Sequence, residues 1–208
     1  MPDRDSAPPR AWQRMLSGRR LDLLDPSPLD VEISDIAHGL ARVARWNGQT
    51  FGPHAFSVGQ HCLLVEDIVR RLRPGADHRT LLMALLHDGP EYVIGDMISP
   101  FKHVMGGDYR AVEQRLQAAI HLRFSLPAQT PQRTRALIKR ADQIAAFYEA
   151  THLAGFSRAE AHTYFGRPRD VTPDALPLEP QPADAVETAF LARFRALEAG
   201  AAPARRSA

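Results

Sequence analysis

Apolar residues recur along this chain mostly at spacings of three and four, the period of a helix with one buried stripe. From residue 34 onward Ile36, Leu40 and Val43 mark a first helix, with Gly48 as a natural stop. A second helix is expected over 57–72, with Val65, Ile68 and Leu72 on one face and Pro74-Gly75 beyond its end. A third, over 78–87, carries Leu81 to Leu86 as an unbroken apolar run, the pattern of a helix buried in the middle of a bundle. Gly106-Gly107 precedes a helix bearing Val112, Leu116, Ala119 and Ile120. The segment 131–153 places Ile138, Ala141, Ala145 and Tyr148 on one stripe, and 183–199 does the same with Val186, Phe190, Phe194 and Leu197. No internal repeat and no convincing strand alternation interrupts the series, so the expected class is all-α.

Between these helices the chain is punctuated by proline. Residues 19–33 contain Pro26 and Pro28 and read as loop with at most a short extended piece. Residues 166–182 contain five prolines and should run extended over the surface. The expected organisation is an N-terminal tail over 1–18, one helical domain over 19–165, and a Pro-rich strap with a C-terminal helix and tail over 166–208. At 208 residues the chain suits one domain. A formal net charge of +2 provides no basic stripe for nucleic acid, so that class of partner is set aside. No apolar run approaches the length needed to span a bilayer, and the acidic, proline-bearing start lacks a signal-peptide core. With a single cysteine, Cys62, no intramolecular disulfide forms, and a cytoplasmic protein is expected.

The informative residues are polar groups where the pattern demands apolar ones. His87 and Asp88 end the most hydrophobic helix, where burial costs several kcal/mol unless something pairs with them. His61 shares a face with Val65 and Ile68, and Asp142 lies on the stripe of Ile138, Ala141 and Ala145. Adjacent helical residues diverge by about 100°, so His87 and Asp88 share an ion only where the helix ends, and Gly89-Pro90 supplies that break. Two imidazoles and two carboxylates suit one divalent metal of the Mn, Co, Zn or Fe kind and leave room for water. Singly, each residue has a plainer reading: a core histidine, or for Asp142 a salt bridge to Lys139 or Arg140.

The order His61, then His87-Asp88, then Asp142 resembles the HD-domain phosphohydrolases. His87-Asp88-Gly-Pro-Glu91 followed by Gly95-Asp96 is similar to their small bacterial and phage 5′-deoxynucleotidases and dNTP hydrolases, over residues 34–150. The resemblance implies an HD-domain helical bundle in which His61, His87, Asp88 and Asp142 bind one catalytic divalent ion (Mn, Co, Zn, Fe or Mg). It also implies that Glu91 activates water or protonates the leaving group, and that Asp96 is a further acidic residue near the pocket. Arg45-Trp46 matches the family pair that contacts phosphate and packs by the sugar, with Arg42 one turn earlier as an aid. Lys102 and Lys139 match lysines that meet phosphates in the dNTP-hydrolysing relatives. Gly89-Pro90 departs from the better helix formers usual in relatives and predicts a kinked or restarted helix at Glu91.

The implied activity is metal-dependent hydrolysis of the phosphate ester of (deoxy)nucleoside 5′-monophosphates. A dNTP triphosphohydrolase of the same fold and a non-catalytic nucleotide sensor are the alternatives. A dinuclear site using His103 and His121 is a weaker rival, because their spacing does not match the two-metal pattern. The expected partner is a small nucleotide. Relatives commonly form homodimers, and no stripe in this sequence decides between dimer and monomer.

Overall fold

In the computed structural model, described over residues 11–96, 107–169 and 171–201, the helical stripes read from the sequence close around one core. The helices are α1 (Ile33–Arg42), α2 (Val58–Leu72), α3 (His78–Leu85), α4 (Glu91–Ile94), α5 (Gly107–Arg123), α6 (Gln132–His152), α7 (Arg158–Phe165) and α8 (Ala183–Ala201). Each main boundary has a local cause. The Ser57 side chain accepts from the Gln60 amide, and the Asp77 side chain accepts from the Thr80 amide, so α2 and α3 begin where a capping oxygen satisfies a free N–H. At α7, Ser157 and Glu160 form a reciprocal capping box. That Ser-x-x-Glu signature stands in the sequence, but the short helix it opens is absent from the periodicity reading.

The central helix is α2, packed against α1, α3, α6 and α8. Its inner residues Cys62, Leu64, Val65, Ile68 and Val69 are fully buried, as are Leu85 and Leu86 at the end of α3. The sequence reading made the C-terminal helix an appendage. It is instead a wall of the bundle: α8 packs on α1, α2 and α3, and Phe190, Phe194 and Leu197 lie in the same core. Arg193 of α8 also forms ion pairs with the buried Glu66 and with Asp67 of α2.

The N-terminal boundary also moves. Residues 12–14 and 20–22 form a two-stranded antiparallel hairpin, with Trp12 opposite Asp22 and Arg14 opposite Arg20. The hairpin is tied down by Leu21, which is fully buried, and by Ser17, whose backbone N–H and hydroxyl donate to Asp35 at 3.0 and 2.5 Å. Residues 11–18, assigned to a tail, are therefore part of the folded domain. Strands this short carry too few side chains to show alternation.

Two local features aim the residues of interest. Helix α1 stops at Arg42 rather than running to Gly48, because the next backbone pairs with the segment before α2. The Arg45 N–H donates to the Phe56 carbonyl at 2.8 Å, and the Val58 N–H donates to the Val43 carbonyl at 2.9 Å. The chain then turns through residues 45–48, with Trp46 and Asn47 at φ +57° and +51°. At the other end of the site α3 ends at Leu85 and α4 restarts at Glu91, with Pro90 at its N-cap. This is the restart that Gly89-Pro90 predicts. Helix α4 lies tight on α1: a Cβ on Gly39 would meet the Tyr92 carbonyl oxygen at 2.7 Å. No helix among the described residues is long and apolar enough to cross a membrane.

Candidate metal centre

Helix α2 delivers His61 and the break after α3 delivers His87 and Asp88. One ligand atom from each of the three lies within 4.8 Å of the others. His61 Nε2 is 3.5 Å, and His87 Nε2 3.3 Å, from the Asp88 Oδ2. The two rings are tilted at 48° to each other with centroids 5.2 Å apart. Asp142, from α6, approaches on the remaining side with its Oδ1 3.4 Å from His61 Nε2. The structure thus gathers all four residues that inward-facing polarity singled out.

Both histidines present the same atom to the centre. His87 Nδ1 lies 2.9 Å from the Ala84 carbonyl, which only accepts, so the Nδ1–H donates and Nε2 points inward. His61 Nδ1 lies 2.5 Å from Glu149 Oε1, with the same consequence. Both Nε2 atoms are buried and make no hydrogen bond. Two orphaned imidazole nitrogens beside a carboxylate fit a divalent ion: neutral imidazole offers one lone pair, and a hydrogen bond on the far nitrogen sets its direction.

The electrostatics are those of a cluster built for charge. Burial works against a proton on His87, yet Asp88 holds its pKa well above the ordinary histidine value. At His61 burial and Arg45 oppose the proton, and Glu149 and Asp142 outweigh them, so its pKa is raised too. Against the cost of burial, His87 and His61 hold Asp88 below the usual carboxylate range, and His61 holds Asp142 well below it. Glu149 falls to about 2, Arg45 and His61 outweighing its burial. The signs set a pH optimum for the metal-free fold. The depressed carboxylates contribute stability that is present above their ordinary pKa and lost as pH falls towards 2. The raised histidines contribute stability that is present below their ordinary pKa and lost as pH rises through the folded value. The melting temperature of metal-stripped protein is therefore expected to peak in mild acid and fall on both sides. A curve climbing steadily from pH 5 to 9 would contradict this ordering.

The remaining candidates fall into distinct places. Glu91, at the start of α4, is 2% exposed. Burial raises the Cys62 thiol pKa, opposed by His87 and reinforced by Asp88 and Glu91, so Glu91 is a neighbour of the cluster. Arg45 has its Nη1 3.7 Å from Asp88 Oδ2 and its Nε 3.2 Å from Glu149 Oε2. Asp96, half-buried after α4, is near enough for its charge to act on Arg45. Trp46 is half-buried against Phe156 and Phe165, with ring centroids 5.6 and 5.8 Å away. Lys139 is mostly exposed and its Nζ is 2.9 Å from Asp142 Oδ2, so Asp142 faces the cluster with one oxygen and the lysine with the other. Lys102 and His103 lie outside the described residues.

One expectation is corrected. Arg42 does not assist Arg45: its guanidinium turns to α8 and pairs with Glu187 at 2.6 Å, because α1 ends there and the chain leaves the helix before Arg45. His121, of the weaker dinuclear reading, lies near the end of α5 with its Nδ1 2.9 Å from the Pro127 carbonyl, and it is not part of the group of possible ligands formed by His61, His87 and Asp88. Among the described residues one group of three or more metal-ligating side chains is present.

The sequence reading missed Glu149. This carboxylate is fully buried on α6, two turns after Asp142, and accepts from His61 Nδ1, Arg45 Nε and Trp46 Nε1. The signal was available: a glutamate seven residues from Asp142, on the same helix face, within the otherwise largely apolar run from Ile144 to Ala150.

No protein-family model matches the chain. A protein of Rhodobacter capsulatus, described as uncharacterized, is 56% identical over 188 residues, which span 90% of this chain and 96% of that protein. The chain belongs to that protein's family. At that identity the two chains share one fold over the 188 residues.

Proposed function

We propose that the protein is a metal-dependent phosphohydrolase acting on nucleotides, and that it hydrolyses the phosphate ester of (deoxy)nucleoside 5′-monophosphates. The observation that carries this reading is the convergence of two orphaned, buried histidine Nε2 atoms on the carboxylate of Asp88. Asp142 completes a two-histidine, two-aspartate set, and the order of these residues resembles the HD-domain phosphohydrolases. The helical bundle is compatible with that resemblance, whereas the restart at Glu91 comes from Gly89-Pro90, where the chain departs from those relatives.

A divalent ion held by His61, His87, Asp88 and Asp142 would supply Lewis acidity at a phosphoryl oxygen. The chain's own groups supply the rest. Glu91, buried beside the ligands, holds or moves the proton of the attacking water or of the leaving alcohol. Arg45 carries a guanidinium whose charge is reinforced, against burial, by Glu149, Asp88, Asp96 and Asp142; it offers donors to a phosphate at the metal side. Trp46, walled in by Phe156 and Phe165, presents an aromatic surface next to that donor.

Phosphate and tripolyphosphate release from the dNMPs, NMPs, dNTPs and NTPs, measured with Mn, Co, Zn and Mg, tests the reading. Phosphate from a monophosphate supports it, and tripolyphosphate moves the assignment to a triphosphohydrolase. Glu91→Gln is expected to lower kcat by about 10²–10⁴-fold while metal binding is retained, since it removes a proton carrier and no ligand. No release from folded, metal-loaded protein with any of these substrates would overturn it.

A further inference from the structure

Resting on the metal assignment above, we propose that Glu149 is a positioning residue through which metal occupancy at His61 and the conformation of the Arg45–Trp46 turn depend on each other. Three donors meet on this one side chain: His61 Nδ1 at 2.5 Å on Oε1, with Arg45 Nε at 3.2 Å and Trp46 Nε1 at 3.0 Å on Oε2. Glu149 and His61 are both fully buried, so solvent does not replace a missing partner. An ionised carboxylate accepts on both oxygens and donates on neither, which is what three convergent N–H groups require.

Each oxygen has a separate task. Oε1 keeps the proton of His61 on Nδ1, and only then does the neutral ring aim its Nε2 lone pair at the metal position. Oε2 holds a turn that is otherwise unfavourable, because Trp46 and Asn47 occupy left-handed backbone that bulky residues avoid. The bonds to Arg45 and Trp46 therefore stabilise the turn that sets Arg45 beside Asp88 and Trp46 against Phe156 and Phe165. A change at one oxygen is felt at the other, and such coupling acts equally in both directions.

Glutamine at this position separates the tasks. Its amide has one accepting oxygen and one donating nitrogen. If the oxygen turns to His61, the nitrogen opposes the N–H groups of Arg45 and Trp46. If the oxygen turns to the arginine and tryptophan, the amide donates to His61 Nδ1. The ring proton then moves to Nε2, where it blocks the metal.

The test is calorimetric titration of Co(II) into metal-stripped full-length protein, with the cobalt ligand-field spectrum as a second readout and circular dichroism to monitor the fold. Glu149→Gln is expected to weaken Co(II) binding about 10–100-fold. Adding Arg45→Met and Trp46→Phe to Glu149→Gln is expected to restore most of that loss, because the amide oxygen is then free to serve His61. Unchanged Co(II) affinity in folded Glu149→Gln, or further weakening in the triple variant, would overturn the proposal while leaving the metal site intact. Failure of the unaltered chain to bind Co(II) would overturn both readings. A second measurement leaves Glu149 in place. The chain has two tryptophans, so Trp12→Phe leaves Trp46 as sole reporter. Saturating Zn(II) is expected to shift its emission, and unshifted emission at saturation would count against the coupling.

Discussion

Asp88→Ala is expected to abolish the proposed metal-dependent hydrolysis and to weaken metal binding, with the fold retained. Asp88 Oδ2 lies 3.3 to 3.7 Å from both histidine Nε2 atoms and from Arg45 Nη1, so three cationic or metal-seeking groups share this one carboxylate. Its removal leaves two cationic or metal-seeking imidazoles and a guanidinium in a buried space without their shared counter-charge. The catalytic loss follows from the loss of the ion's stabilisation of developing phosphoryl charge, several kcal/mol, or about 10³-fold or more in rate. Phosphate release by variant and unaltered protein, with metal content measured on the same samples, checks it. Activity within tenfold of the unaltered protein at full metal content would remove Asp88 from the centre. Because the carboxylate is about a quarter exposed, little packing is lost with it, and a folded variant is expected.

Phe190→Ala is expected to destabilise the fold strongly although it lies away from the site. The ring sits on α8, fully buried in the core that α8 shares with α1, α2 and α3. Truncating a phenylalanine in such a place costs about 3–5 kcal/mol, part transfer free energy and part the cavity left behind. For a chain of this size that corresponds to a fall of about 6–20 °C in melting temperature. Leu16→Ala is the matched control: the side chain is 78% exposed, and a change within about 0.5 kcal/mol is expected. If α8 were only a strap, Phe190→Ala and Leu16→Ala would behave alike, and thermal denaturation decides between the two.

The helices that carry the site were legible because each buries one stripe, and a buried stripe leaves a period of 3.6 in the sequence. For α2 and α6 the expected limits agree with the observed ones to within a residue at each end, helped by the Ser57 cap of α2 and by Pro131 immediately before α6. The four candidate ligands were legible for the complementary reason: a histidine or aspartate on such a stripe costs free energy that something must offset. What escaped the reading were elements too short to have a period. The hairpin at residues 12–22 and the eight-residue α7 are stabilised by contacts or caps rather than by repetition, whereas the single turn at Glu91 was legible from the break at Gly89-Pro90.

Periodicity by itself therefore determined that the chain is mostly helical, which faces turn inward, and which polar residues those faces carry inward. It left open which inward faces meet. That α2 packs on α6, so that His61 faces both Asp142 and Glu149, is a property of the assembled bundle. The departure of the chain from α1 at Val43, which turns Arg45 towards the metal centre and leaves Arg42 on α8, depends on backbone pairing with residues 56–58. Glu149 shows the limit most clearly. Its position on the stripe was visible, but its three partners lie 88 to 104 residues away along the chain. Local spacing reports which way a side chain faces; only packing of the helices decides what it meets there.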